Sequence, residues 1–254
     1  MATPLTVMAE LHSERTGPLT VSLARDDDEV RRCQRLRHQV FARELGARLH
    51  SDVPGLDRDA FDAHCRHLVV RQCDTGTIVG TTRLLLERDA RAAGMFYSQT
   101  EFELGPVLAL PGRFMEVGRT CIHPRFRSGA AIAVLWSGVA RMMVLHQVDY
   151  LIGCASIPLD DGGMNALSVV RHLRGHHFTP AHLRVRPRLA LPPMAVPPPG
   201  EATLPALLKG YLRLGARVCG EPCWDPDFNV ADLFVLLDRD RLERRYARHF
   251  VNRL

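Results

Sequence analysis

A short apolar segment carries two charged residues that could do chemistry. In "RFMEVGRTCIHP", Glu116 and Arg119 lie three residues apart among side chains typical of a strand. A carboxylate placed there can accept a proton from an amine, which must be uncharged before it attacks an acyl group; α-amines have pKa values of about 8. Gly118 between them predicts a bulge. The alternative is a buried ion pair that serves only the fold.

The same strand leads into a helix start that suits a phosphate. "HPRFRSGAA" places arginines and small residues where a helix is predicted to begin. Backbone N–H groups, the positive end of the helix dipole and two guanidinium groups would then meet at one point. The alternative is a pair of surface arginines that merely precede a helix. The predicted phosphate-binding residues are Arg125, Arg127, Ser128, Gly129 and Ala130.

A third set of residues contains both acidic and basic side chains. "GLDRDAFDAH" supplies Asp57, Asp59 and Asp62, and "GTTRLL" supplies Arg83. Opposite charges held close together would suit a zwitterionic small molecule. A solvated acidic loop capped by a strand arginine is the alternative.

Several other kinds of site lack support in the sequence. His64, Cys65 and His67 have no separated second pair of ligands at a familiar spacing, so no metal site is predicted. The sequence contains no GxSxG elbow, Walker A loop or GxGxxG motif. Lys209 is its only lysine, so a Schiff-base enzyme would have to use that residue.

The spacing of apolar residues predicts the elements that position these groups. An amphipathic helix ends at Gly46, and a hairpin turning at Asp74-Thr75-Gly76 follows it. The order of the later elements predicts one α/β domain over residues 20–254, after a flexible tail over residues 1–19. The later predictions are a strand at "RFMEVGRTCIHP", a helix from Ser128, a strand at "DYLIGCASIP", a helix at "MNALSVVRHLRG", a proline-rich loop at 187–205, a helix at "ALLKGYLRLGA", a strand at "ADLFVLLD" and an arginine-rich helix from Arg239.

The amino-acid composition indicates the class of protein, its partners and its cellular compartment. In 254 residues, 46% are apolar, which is enough for a sizeable core. The net charge of +5 favours acidic partners, although an arginine-rich coding bias would give the same excess. No aromatic residues are interleaved with the arginines, so nucleic acid is not expected as a partner. The seven cysteines include no CxxC pair, and no membrane-spanning or export segment is visible, so a cytoplasmic protein with reduced thiols is predicted.

The order of these motifs resembles the GNAT acyltransferase superfamily and, more narrowly, the autoinducer (acyl-homoserine lactone) synthases. The matching residues are Arg37-x-x-x-Phe41, Asp59-x-x-Asp62, Arg83 and Glu116-x-x-Arg119. The resemblance implies a mixed central sheet with helices on both faces. Ala47 stands where the synthases have a tryptophan, which weakens S-adenosylmethionine as the acceptor. Phe126 departs from the phosphate loop of acetyl-CoA enzymes.

A closer resemblance covers residues 28–250. "FDAHCRHLVV", "FYSQTEF", "EVGRTCIHPRFR", "YLIGCAS", "LLKGYLRLGA" and "GEPCWDPDFNVADLFVLLD" are similar to the L-ornithine Nα-acyltransferases, also called hemolysin-like. That resemblance implies transfer of a 3-hydroxyacyl chain from acyl carrier protein to the α-amine of ornithine, giving lyso-ornithine lipid. The donor would carry phosphopantetheine, with coenzyme A as the other possible carrier, and no permanently bound cofactor is implied.

The resemblance also implies roles for residues and surfaces. Glu116 and Arg119 would be catalytic, and backbone N–H groups from Gly118 to Thr120 would stabilise an oxyanion. Phe96, Phe102 and Met115 would line an apolar tunnel. Substrate binding would fall to Arg37, Phe41, Asp59, Asp62, Arg83, Phe96, Cys154 and Ser156. The arginines expected to dock an acidic carrier or an anionic membrane surface, with a peripheral position at the inner face, are Arg31, Arg35, Arg241, Arg244, Arg245 and Arg248.

Two other functions stay open on the sequence. One is an N-acyl amino acid or acyl-homoserine lactone synthase that uses a different amine acceptor. The other is a basic, non-catalytic protein that binds membrane or nucleic acid on the same scaffold. Ornithine-dependent product formation would separate the first from the ornithine enzyme, and steeply salt-dependent binding without acyl transfer would favour the second.

Overall fold

The computed structural model describes residues 14–127, 129–193 and 202–241. The strands in these ranges are β1 (Glu14–Thr16), β2 (Leu19–Leu23), β3 (Arg66–Gln72), β4 (Ile78–Leu86), β5 (Phe102–Glu103), β6 (Phe114–Ile122), β7 (Tyr150–Pro158), β8 (Arg186–Pro187), β9 (Arg217–Val218), β10 (Cys223–Asp225) and β11 (Val230–Asp238). The α-helices are α1 (Asp27–His38), α2 (Glu87–Ala93), α3 (Gly105–Leu108), α4 (Gly129–Leu145), α5 (Met164–Arg174) and α6 (Ala206–Arg213). Short 3-10 turns cover Ala60–His64, Tyr97–Thr100, Pro124–Phe126, Ala181–Leu183 and Arg239–Arg241, and a π-helical turn covers Gln39–Glu44.

The strands form one mixed sheet and one small sheet. The large sheet has the order β1-β2-β3-β4-β6-β7-β11-β10, with β9 also paired to β11. Strands β6 and β7 are parallel, whereas β2-β3-β4 and β7-β11-β10 are antiparallel. Strands β5 and β8 pair separately. The predicted α/β class with a mixed sheet and flanking helices is confirmed.

The chain divides into two compact units that share strand β6. Unit 1 comprises Met1–Leu84 and Arg119–Val144, and unit 2 comprises Leu85–Gly118 and Leu145–Leu254. Strand β6 therefore contributes Glu116 to unit 2 and Arg119 to unit 1.

In unit 1, helix α1 begins where its sequence predicts. Asp26 caps it by accepting the Glu29 N–H at 2.9 Å, and acidic residues fill the first turn, where they complement the helix dipole. Cys33 and Leu36 face the core. The predicted hairpin is also present, with Gly76 left-handed (φ 66°) at the turn between β3 and β4.

In unit 2, β7 is the central strand expected of a continuous apolar run. It lies between β6 and β11, with Leu151, Ile152 and Ala155 buried. Its parallel pairing with β6 runs from Phe114–Tyr150 to Val117–Gly153. A Cβ atom at residue 153 would overlap the Val117 carbonyl oxygen, so the close approach of these strands requires glycine.

The ends of the chain depart from the sequence predictions. The predicted tail needs correction at its inner end, because Glu14–Thr16 pairs with Leu19–Leu23 across a left-handed Gly17. The proline-rich loop starts with strand β8, and residues 194–201 lie outside the described residues. The predicted terminal helix is described only as the turn Arg239–Arg241, so Arg244, Arg245 and Arg248 lie outside as well.

Two further observations concern the whole described chain. The seven cysteines are free thiols, four of them buried. None of the helices in the described ranges combines the length and apolar character needed to cross a bilayer.

Candidate active site

Glu116 is a buried carboxylate held by the turn Tyr97–Thr100. The Tyr97 N–H donates to its Oε2 at 2.7 Å, and the Ser98 N–H donates to its Oε1 at 2.7 Å. The Ser98 hydroxyl donates to the same Oε1 at 2.5 Å. Donors suit an ionised carboxylate, which only accepts. Glu116 is therefore fixed in one orientation within unit 2.

Arg119 has a different set of partners. Its Nε lies 3.3 Å from Asp57 Oδ2 and its NH2 group lies 3.6 Å from Asp59 Oδ2, all within unit 1. Its backbone is left-handed (φ 51°), a rare conformation for a residue with a side chain. The irregularity predicted at Gly118 therefore falls one residue later. Strained backbone of this kind is concentrated at functional sites.

Cys154 and Ser156 on β7 extend the polar surroundings of unit 2. The Cys154 thiol lies 3.4 Å from Ser98 Oγ and donates to Glu101 Oε2 at 3.2 Å. Burial, followed by the charges of Glu101 and Asp232, raises the pKa of Cys154 well above its ordinary value. The thiol thus stays protonated and is a donor, not a nucleophile. The Ser156 hydroxyl donates to Asp232 Oδ1 at 2.6 Å.

Three carboxylates near these residues could hold a cation. Glu101, Asp225 and Asp232 bring one oxygen each within 4.8 Å of one another. Asp232 is buried and the other two are half-buried. The sequence prediction did not include them. In the sequence they stand in "FYSQTEF" and "CWDPDFNVAD", and their separation along the chain gives no sign that they meet.

In unit 1 the predicted substrate-binding charges form a buried network around Arg37. Its guanidinium donates to both oxygens of Asp62, at 2.8 and 2.9 Å, and lies 3.0 Å from Asp57 Oδ2. It also donates to the Asp57 carbonyl. Only 1% of the Arg37 side chain is exposed. Its contacts are the planar two-point pairing that arginine makes with carboxylates.

Arg83 completes that network from strand β4. It donates to Asp59 Oδ1 at 2.6 Å and lies 3.4 Å from Asp62 Oδ2. The two aspartates also close a capping box on the turn Ala60–His64, since the Asp59 N–H donates to Asp62 and the Phe61 N–H donates to Asp59, both at 2.9 Å. With Arg119 and Asp57, three arginines face three aspartates.

This pairing differs from member to member in how open each charge is to solvent. Arg37, Asp62 and Arg83, which were predicted to bind substrate, have side chains that are 1–5% exposed and form ion pairs with one another. Spacing along the chain cannot show that charges neutralise each other in three dimensions. Asp59 and Arg119, at 24% and 14% exposure, are the members within reach of a small molecule.

The apolar side chains predicted to contact substrate lie in two kinds of place, the protein core and a cavity. Phe41 is half-buried and packs against the core cluster of Leu36, Val40 and Cys121 in unit 1. Phe96 lines a cavity of about 170 Å³ in unit 2, with its ring edge-on to Phe114 at 6.5 Å. Phe102 and Met115, also expected to line an apolar tunnel, are fully buried in the core.

The predicted phosphate site lies at the start of helix α4 in unit 1. Arg125 is exposed, and Arg127 pairs with Glu44 at 2.5 and 2.8 Å. Gly129 and Ala130 form the exposed first residues of α4, and Ser128 lies outside the described residues. An arriving phosphate would therefore compete with Glu44 for Arg127.

A basic groove adjoins this helix start. It has a volume of about 590 Å³, and Glu44 and Pro124 belong to both the groove and the surroundings of Arg127. Its lining is Arg35, His38, Gln39, Arg43, Glu44, Gly55 and Pro124. The three basic side chains make it a suitable surface for an acidic partner.

Comparison with known proteins first defines the class. The acetyltransferase (GNAT) domain family matches residues 36–137. A CoA-dependent acyl-homoserine lactone synthase superposes with a TM-score of 0.52 at 15% identity, covering 89% of this chain and 82% of the other. An N-acyl amino acid synthase from uncultured soil microbes gives a TM-score of 0.51 at 11% identity, covering 88% and 92%. The chain thus has the fold of a GNAT-type acyltransferase.

Sequence similarity along almost the whole chain then gives the family. An L-ornithine Nα-acyltransferase of Agrobacterium fabrum is 34% identical over 252 residues, which is 93% of this chain and 86% of that protein. The enzyme of the same name from Rhodobacter capsulatus is 33% identical over 249 residues, 92% and 95% of the two chains. The chain belongs to the L-ornithine Nα-acyltransferase family.

Proposed function

We propose that this protein transfers a 3-hydroxyacyl chain from an acyl carrier protein thioester to the α-amine of L-ornithine, releasing lyso-ornithine lipid. The acceptor is inferred from the names of its full-length relatives. The observation that carries the chemistry is the Glu116 carboxylate, whose orientation is fixed by three hydrogen bonds. It lies three residues before Arg119, whose backbone is left-handed.

Proton transfer is the role we assign to Glu116. At neutral pH most of an α-amine is protonated and cannot attack the thioester. Once the ammonium has lost a proton to solvent, the uncharged amine attacks the thioester carbon, and Glu116, directly or through a water molecule, takes the proton that the nitrogen loses as the nitrogen–carbon bond forms. The carbon–sulfur bond then breaks, and the thiolate that leaves on the carrier's phosphopantetheine takes up this proton, which returns Glu116 to its carboxylate form. Backbone N–H groups between Gly118 and Thr120 would stabilise the intermediate oxyanion.

The balanced network of unit 1 supports this chemistry indirectly. Arg37 and Asp62 hold the loop of residues 57–64 through buried ion pairs, and Asp57 and Asp59 of the same loop pair with the Arg119 side chain. Asp59 and Arg119, partly exposed, are the members we assign to the ammonium and carboxylate groups of the acceptor. In this proposal the inner charges hold the loop that pairs with Arg119, and the outer two charges bind the acceptor.

We assign the donor to the helix start and the basic groove of unit 1. Arg125, Arg127 and the first N–H groups of α4 would receive the phosphopantetheine phosphate. The groove lined by Arg35 and Arg43 would receive the acidic surface of the carrier. Leu45, 58% exposed, adds an apolar contact beside Glu44.

Charge reversal in the groove tests this donor surface. The double variant Arg35→Glu, Arg43→Glu is expected to raise the KM for the acyl carrier protein about tenfold or more, with a steeper effect at low salt, because repulsion replaces attraction. The KM for ornithine should be unchanged. Arg171→Glu, an exposed arginine on α5, is the matched control. An unchanged carrier KM would place docking on another face.

Release of free thiol tests the reaction itself. The purified protein, given 3-hydroxyacyl carrier protein, should release carrier thiol only when ornithine is added, and the same chain length on coenzyme A should react more slowly. Thiol release independent of any amine would contradict amine acylation. Equal rates with both donors would contradict the carrier as the preferred donor.

A further inference from the structure

The turn Tyr97–Thr100 is held by more hydrogen bonds than a connecting turn needs. The Phe96 N–H donates to Gln99 Oε1 at 3.0 Å, and Thr100 Oγ1 donates to the Tyr97 carbonyl at 2.7 Å. From beyond β8, Arg188 donates its Nε to the Gln99 carbonyl and its backbone N–H to the Glu101 carbonyl, both at 2.7 Å. The turn is thus fixed internally and from the neighbouring segment. Its first two N–H groups stay directed at Glu116.

Within this turn, Ser98 makes an additional contact that its backbone alone does not provide. Its N–H and its hydroxyl both meet Glu116 Oε1, and the residue is 1% exposed. The Tyr97 N–H donates to the other oxygen, Oε2. Two donors from Ser98 on one oxygen, with the Tyr97 N–H on the other, restrict rotation of the carboxylate, because turning it would break these hydrogen bonds.

Cys154 is a second neighbour of the Ser98 hydroxyl, beside Glu116. Its Sγ lies 3.4 Å from Ser98 Oγ, but the thiol donates to Glu101 Oε2 at 3.2 Å. The thiol directs its own hydrogen to Glu101, and the carboxylate oxygen at 2.5 Å is a stronger acceptor than the sulfur at 3.4 Å, so the serine proton is directed at Glu116. The direction of the serine hydrogen bond thus follows from strands β6 and β7 together.

We propose that Ser98 is a positioning residue for the reaction, acting through Glu116: its hydroxyl holds the carboxylate in the orientation that accepts the proton of the amine. This rests on the proposed role of Glu116 as the base. Nothing in the geometry requires Ser98 to touch the acceptor or donor. Its loss should therefore change turnover and leave both KM values nearly unchanged.

A double-mutant cycle tests the proposal. Ser98→Ala keeps the backbone N–H and removes only the hydroxyl, and is expected to lower kcat 10- to 100-fold, the usual worth of a hydrogen bond to a charged group. KM for ornithine and for the carrier should stay within about twofold. In a protein already carrying Glu116→Gln, the same change should lower kcat by less than about twofold, because there is no base left to orient.

Controls keep the outcomes distinct. Ser98→Cys keeps a weak donor of similar size, so its kcat should fall less than that of Ser98→Ala. Ser168→Ala on α5 is the matched control, because the Ser168 hydroxyl bonds only to the Met164 carbonyl among the described contacts. Equal losses from Ser98→Ala with and without Glu116→Gln would overturn the proposal, as would an unchanged kcat in Ser98→Ala. Normal turnover in Glu116→Gln alone would instead refute the base, and with it the proposed function of that residue. Melting temperatures within a few degrees of the parent protein would exclude unfolding as the cause.

Discussion

Glu116→Gln is expected to lower kcat by about 100-fold or more, the usual contribution of general base catalysis, while the protein stays folded. Glutamine has nearly the same shape, and its amide oxygen can still accept both donors of Ser98. Its amide nitrogen would face the Tyr97 N–H and lose that one bond. A modest fall in melting temperature is therefore expected beside a large fall in turnover.

The measurement is kcat with saturating donor and ornithine, paired with a thermal melt. Glu103→Gln, an exposed glutamate on β5, is the matched control and should keep normal turnover. The KM for ornithine should change little in Glu116→Gln, because the carboxylate acts in the transition state. Turnover within about threefold of the parent would contradict a base at this position.

Arg37→Met is expected to lower the free energy of unfolding by about 3–5 kcal/mol. The change keeps a long side chain but leaves Asp62 and Asp57 buried without their principal partner, and an uncompensated buried charge is costly. Arg31→Met, an exposed arginine on the same helix, should change it by less than about 0.5 kcal/mol. Denaturant unfolding of both variants measures the difference. A loss below about 1 kcal/mol for Arg37→Met would show that the network does not hold the loop of residues 57–64.

The same network predicts a dependence of stability on pH. Burial raises the pKa of Asp62, but the hydrogen bond and charge of Arg37, with the charge of Arg83, outweigh it and bring the pKa from 3.8 to about 2. A carboxyl whose pKa is lower in the folded state stabilises the fold above pH 3.8, and this contribution, on the order of 2 kcal/mol, is lost as the pH falls towards 2. In Arg37→Met the loss should begin at a higher pH, which a series of melts between pH 2 and 6 would detect.

The sequence predicted the long elements because each has an apolar pattern of its own, periodic in helix α1 and continuous in strand β7. Helix α1, the β3–β4 hairpin and strand β7 all lie where apolar spacing and turn residues place them. Strands β5, β8 and β9 span two residues each, so no period could reveal them. They form because distant segments meet, as Phe102 does with Pro187.

The sequence pointed to several charged residues of the candidate site but not to the contacts that each of them makes. Glu116 and Arg119 were predicted to be chemically active, and this stays a prediction. The partners of Glu116 were not predicted, since Tyr97 and Ser98 are 18 or more residues from it. Asp57, Asp59, Asp62 and Arg83 were grouped from the sequence, but the buried pairing of Arg37 with Asp62 was not predicted, because it depends on the fold of the loop between them. Glu101, Asp225 and Asp232 were missed because their proximity depends on how β5, β10 and β11 are arranged.

Mass spectrometry of the reaction product tests the central claim most directly. The purified protein would be given 3-hydroxyacyl carrier protein with an equimolar mixture of ornithine, lysine, glycine and S-adenosylmethionine. Fragmentation of the product distinguishes acylation of the α-amine from acylation of the side-chain amine. We expect Nα-(3-hydroxyacyl)ornithine as the main product. A main product built on another acceptor, or on the side-chain amine of ornithine, would contradict the account.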